Sequence, residues 1–133
     1  MNKTLLIALA MLVSGSASAL TDHFVLRNGN HVHHLKITGV GEKITVSADV
    51  DFEPTAEESG MQACSAAVSG DAKFVSEKEL EMKKQIPGEA HYCILNVKLT
   101  PSGAIIDQSE DCTYFAAGIC HFTTNGKELI KVK

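Results

Sequence analysis

The chain has no tryptophan, only two tyrosines and five phenylalanines, and only three prolines. So small an aromatic set is unlike a platform that stacks sugars or bases. No Cys-x-x-Cys is present, which removes the usual signature of a redox-active or zinc-binding cysteine pair. There is no excess of positive charge. The formal net charge is −4, the wrong sign for a nucleic-acid face or for docking on anionic lipid. Gly-x-Ser-x-Gly, His-Glu-x-x-His, Ser-x-x-Lys and phosphate-cradling loops are all missing, so no standard catalytic motif is on view. No apolar run approaches the roughly 18 residues that span a bilayer as a helix.

What is present begins with an export signal. Met1-Asn2-Lys3 is short and positively charged, Thr4–Val13 is almost wholly apolar, and Ser14–Ala19 is small and polar, ending Ala17-Ser18-Ala19. Small residues at −3 and −1 fit the signal peptidase pocket, which places the cut after Ala19. No cysteine follows that cut until Cys64, so a lipid anchor is not expected. The reading is residues 1–19 as a cleaved secretory signal and 20–133 as a single mature domain. That domain is expected to be soluble in the periplasm or secreted, with a net charge of −5 once Lys3 is removed.

All four cysteines, Cys64, Cys93, Cys112 and Cys120, lie in the mature part. An even count in an oxidising compartment reads as two disulfides. Of the three connectivities, Cys112–Cys120 with Cys64–Cys93 is favoured, because the first closes a local loop and the second ties the middle of the chain to a strand.

The patterning is mainly β. His23–Arg27 and His31–Thr38 flank Asn28-Gly29-Asn30, a strong hairpin signal because Asn-Gly tolerates positive φ. Lys43–Phe52 alternates, with Ile44, Val46, Ala48 and Val50 on one face, so the first mature residues read as a three-stranded meander. Residues 54–70 fit a helix, a strand or a tied-down loop, with the Thr55/Glu58 capping box leaning toward a short helix. Ser76–Gln85 reads as a surface helix, opened by a Ser76/Glu79 capping box and ended by Pro87-Gly88. His91–Leu99 alternates with Cys93, Leu95 and Val97 on one face, and Ala104–Asp107 returns after a turn at Pro101-Ser102-Gly103. Asn125-Gly126 predicts a second hairpin between Ile119–Thr123 and Glu128–Val132. The expected fold is α+β, mainly antiparallel β in a hairpin-rich sheet or small sandwich, with one or two short helices and two disulfides.

The histidines are the only clustered chemistry. His31-Val32-His33-His34 puts His31 and His33 on one strand face, where they could bind zinc or copper with His23 from the neighbouring strand as third ligand. A solvated strand face accounts for the same pattern, and no cofactor is needed. The acid pairs Asp49/Asp51 and Glu110/Asp111 could serve a small hydrolase, but same-face carboxylates on a strand more often meet only water. Asp49, Asp51, Glu53, Glu57 and Glu58 form an acidic stretch suited to a basic groove, and Tyr114 with Phe115 offers apolar contact in the Cys112–Cys120 segment. The leading expectation is a non-enzymatic exported binding protein, an inhibitor or immunity protein acting on a cell-wall-degrading enzyme. A metal-binding protein using His31 and His33 is the first alternative and a small hydrolase the second.

Overall fold

The structure, a computed structural model, describes residues 20–55, 57, 60, 62–116 and 118–133. The signal sequence and its cleavage site lie outside the described residues, as does Glu58. Eight strands follow in chain order: β1 (Leu20–Asn28), β2 (His31–Val40), β3 (Lys43–Phe52), β4 (Cys64–Ser76), β5 (Glu79–Gln85), β6 (Tyr92–Leu99), β7 (Gly103–Gln108) and β8 (Leu129–Lys131). Each pairs antiparallel with the next, and β8 pairs with β1, so the sheet closes into a barrel. The expected α+β sheet or sandwich is therefore corrected: the antiparallel β content stands, but residues 64–70 and Glu79–Gln85 are strand rather than helix and the sheet has no free ends.

The strand-forming pattern is a period of two. Val46, Ala48, Val50 and Phe52 of β3 are buried, while Lys43, Thr45, Ser47, Asp49 and Asp51 face outward. Leu35 of β2, Leu80 and Met82 of β5, Leu95 and Val97 of β6 and Ile106 of β7 join them in one core. The outer face carries Lys36, Ser47, Asp49, Glu81 and Lys98. That is the reverse of a membrane-spanning barrel, whose apolar band faces lipid. Among the described residues no helix is long and apolar enough to cross a membrane.

Each expected helix fails for a visible reason. In Ser76–Gln85 the apolar pair Leu80 and Met82 is two residues apart and both are fully buried. On a helix those two positions point in nearly opposite directions, whereas on a strand they share a face. The Ser76/Glu79 signal is the tight turn between β4 and β5, where Ser76 pairs with Glu79. In β4, Ala66, Val68 and Ala72 turn inward against exposed Ser65, Ala67, Ser69 and Asp71. Small residues hide that alternation from a reading based on hydrophobicity.

The first hairpin forms as expected, but its two-residue loop is Gly29-Asn30, and only Gly29 has positive φ, at 63°. The second expected hairpin does not form. Asn125 and Gly126 do take positive φ, 54° and 82°, yet the chain before them is not a strand. It runs through two short 3-10 turns, Glu110–Tyr114 and Gly118–Cys120, and then drops Phe122 into the barrel, fully buried. Gln108 holds this path, its side-chain oxygen accepting hydrogen bonds from the Phe122 and Thr123 amides at 2.6 and 3.2 Å. The segment after β7 thus plugs one end of the barrel.

The disulfides differ from the favoured pairing. Cys64 joins Cys120, with Cα atoms 6.2 Å apart, and Cys93 joins Cys112, at 4.3 Å. Strand register explains the second bond. The Ser109 amide donates to the Ile94 carbonyl at 2.9 Å, and the Ile94 amide donates to Ser109 Oγ at 2.9 Å. Cys112 is thereby laid against Cys93 at the start of β6. Cys112 and Cys120 are close in sequence, but the turns between them carry Cys120 across to the start of β4.

Candidate functional site

One end of the barrel gathers the features that chemistry or recognition could use. This mouth is formed by the β1–β2 turn, the described residues between β3 and β4, and the second 3-10 turn, Gly118–Cys120. Two clefts open there. One, of about 640 Å³, is bordered by Arg27, Asp51, Glu53 and Cys64. The other, of about 470 Å³, is bordered by His31, Phe52, Thr55, Glu57 and Ile119. Gly29, Asn30 and Phe52 border both.

β2 places His31 and His33 on the inward face, with ring centroids 4.9 Å apart. His33 is buried, cross-strand from Leu26, and His31 packs edge-on against Phe52. Burial holds the His33 imidazole down to about 4, helped by the neighbouring charges of His31, His121 and His34. Burial and His121 also lower His31, against a backbone hydrogen bond at Ile119 that favours its protonated form. Buried His31 Nε2 and His33 Nδ1 have no hydrogen-bond partner among the described residues.

His23 does not join this pair. It faces outward from β1, and its Nε2 lies 3.0 Å from Nδ1 of His34, a hydrogen bond between stacked imidazoles. The expected third partner of His31 and His33 is therefore corrected; the group whose charge both rings feel from another segment is His121. A signal for His121 was available through register. His31 pairs with Phe52, Phe52 pairs with Cys64, and Cys64 is bonded to Cys120. The wrong disulfide pairing concealed that chain of neighbours. All four cysteines are in disulfides, so none offers a thiolate to a metal.

A depressed histidine has a stability consequence. An unfolded imidazole binds its proton near pH 6.5, and folded His33 only near 4. Between those values the unfolded state holds more protons, so stability is complete above about pH 6.5 and falls as pH drops toward 4. The loss is expected to reach about 3 kcal/mol at the acid end. Urea denaturation at stepped pH, with a chelator present, measures it, and His33→Leu should flatten the slope. A slope unchanged in that variant would assign the effect elsewhere.

The acidic candidates divide. Asp49 and Asp51 face outward on β3, cross-strand from His34 and Val32, and Asp51 and Glu53 border the larger cleft while Glu57 borders the smaller. Glu110 and Asp111 lie in the first 3-10 turn, where Asp111 Oδ2 lies 3.5 Å from His91 Nδ1 on the exposed surface. The two acid pairs weighed for hydrolysis thus sit on separate elements. Tyr114 is exposed and its ring meets Phe115 edge-on at 5.1 Å. Phe115 borders a small cleft with Ser47, Val68 and Lys84, apart from the acids at the other two clefts.

Compared with models of protein families, with curated proteins and with solved structures, the chain has no significant match.

Proposed function

We propose that this chain is a small exported binding protein that acts without catalysis on another exported protein, as an inhibitor or immunity protein of a cell-wall-degrading enzyme. The observation that supports this reading is the filled interior. Leu35, Leu80, Met82, Leu95, Ile106 and Phe122 are fully buried inside the barrel, so the axis is taken up by side chains rather than by a ligand cavity. Recognition then falls to the mouth, where Asp51, Glu53 and Glu57 line the two clefts. Enzymes that act on anionic wall polymers present basic grooves, and an acidic rim complements such a groove in charge. Disulfide Cys64–Cys120 ties the mouth to β4, which limits the entropy lost on binding. The two disulfides and the signal-like start both fit an oxidising, exported setting.

The test is inhibition of purified basic cell-wall hydrolases by the full chain, exported and recovered in oxidised form. Stoichiometric inhibition is expected. It should weaken by at least about tenfold in Asp51→Lys/Glu53→Lys/Glu57→Lys and persist in Lys98→Glu on the far wall. Inhibition indifferent to the triple reversal, or none by any hydrolase tried, would overturn the proposal.

A further inference from the structure

We propose that a notch in the wall between β4 and β5 takes an added strand, an extended peptide segment of a partner protein that carries an acidic side chain for Lys84. The two strands pair over only part of their length. Residues 72–76 of β4 meet residues 79–82 of β5, and the register ends at Ala72 opposite Met82. Residues 64–71 of β4 pair with β3 alone, and Lys83, Lys84 and Gln85 of β5 pair with β6 alone. The order of strands closes the barrel, yet at this place two strand edges face each other with no ladder between them among the described residues.

Gly70 marks where the strands part. A methyl group there would lie 2.8 Å from the Lys83 carbonyl oxygen and 2.9 Å from Met82 Sδ, so β5 crosses β4 at close quarters and only glycine admits it. Past that crossing the alternation of β5 stops as well. Leu80 and Met82 are fully buried, and the next residue in the same phase is Lys84, which is exposed. Its side chain borders the gap instead of entering the core. A cleft of about 270 Å³ lies there, with Val68, Ser69, Lys84 and Phe115 at its border.

A row of unpaired N–H and C=O groups is a template for another strand, and natural edges are blunted with lysine, proline or inward charge. Residues 65–70 of β4, Ser-Ala-Ala-Val-Ser-Gly, carry none of these. In strand addition the main-chain bonds give affinity and pockets for alternate side chains give specificity. Buried Val68 and half-buried Phe115 offer one apolar contact in the notch. Lys84 has no ion pair among the described residues, so a carboxylate on the added strand would complement it.

The same geometry selects a peptide over a second copy of this chain. A peptide has both of its edges free and can serve both walls of the notch. In a second copy one edge of β4 is already bonded to β3. The notch does not rest on the inhibitor reading, which places recognition at the acidic rim.

Amide hydrogen exchange is followed in the full chain, exported and oxidised, alone and with the blocked peptide Thr-Val-Thr-Glu-Thr-Val-Thr. In the free protein every second amide of residues 65–69 should exchange fast, the others being bonded to β3. The peptide should protect those fast amides, and a fully N-methylated version of it should not. Lys84→Glu, at an exposed residue, should weaken binding about fivefold or more, and lysine in place of the peptide's glutamate should restore it. Slow exchange of all these amides in the free chain, no protection at millimolar peptide, protection confined to other strands, or equal affinity in Lys84→Glu would each overturn the proposal.

Discussion

Gly103→Ala is expected to break the barrel at its seam. Gly103 opens β7 and pairs with Ile130 of β8, and β8 is the three-residue strand that joins β7 to β1. A methyl group at residue 103 would lie 1.8 Å from the Leu129 carbonyl oxygen and 2.9 Å from its carbonyl carbon. Both are backbone atoms, so no side chain can swing aside, and Leu129 itself is fully buried. β8 must move, and with it the contacts that hold it: the Lys131 amide on the Ser102 carbonyl at 3.0 Å, and Thr100 and Ser102 on the Glu128 carboxylate. A loss of about 3 kcal/mol or more is expected, with aggregation as the edges of β1 and β7 become unpaired. Gly39→Ala is the control, because a methyl group there meets nothing within 4 Å. Urea denaturation of both variants reads the difference. Equal stability in the two would mean that the seam is not where the structure puts it.

Removing Cys64–Cys120 is expected to cost more than removing Cys93–Cys112. The first bond closes a separation of 56 residues and the second one of 19. Chain entropy then gives about 4 kcal/mol for the first and about 3 for the second, each a large share of a small domain's net stability. The local consequences also differ. Without Cys64–Cys120 the segment carrying Ile119 and His121 loses its tie to β4, so the mouth loosens while the strands still pair. Without Cys93–Cys112 two fully buried residues leave a gap at the start of β6. Paired alanine substitutions, compared by urea denaturation in oxidised protein, should rank in that order. The reverse ranking would mean that the mouth segment is held by other contacts.

Much of the barrel was legible in residues that alternate strongly. β3 and β6 could be read from Val46, Ala48, Val50 and from Cys93, Leu95, Val97, all of them buried. The β1–β2 hairpin was legible from its glycine. β5 was not, because Leu80 and Met82 sit among Glu79, Glu81, Lys83 and Lys84, whose charges imitate a capped surface helix. β4 was not, because alanine, serine and glycine carry little hydrophobic contrast. Closure was not legible either: it rests on β8, three residues long, and on Phe122 filling one end from outside any strand. Within the candidate site, the inward face shared by His31 and His33 was readable from strand period. His121 was not, since its place depends on a bond between cysteines 56 residues apart, and sequence distance favoured a local loop.

The mouth as described, with its acidic rim and histidine pair, exists only if Cys64 is bonded to Cys120. Peptide mapping of the unreduced protein tests that most directly. Cys112 and Cys120 share one tryptic fragment, so chymotrypsin is added to cut after Tyr114 or Phe115 and separate them. The structure predicts a crosslinked pair holding Cys64 with Cys120 and another holding Cys93 with Cys112. A Cys112–Cys120 link with Cys64 on Cys93 would contradict it, and would return His121 to a local loop away from His31 and His33.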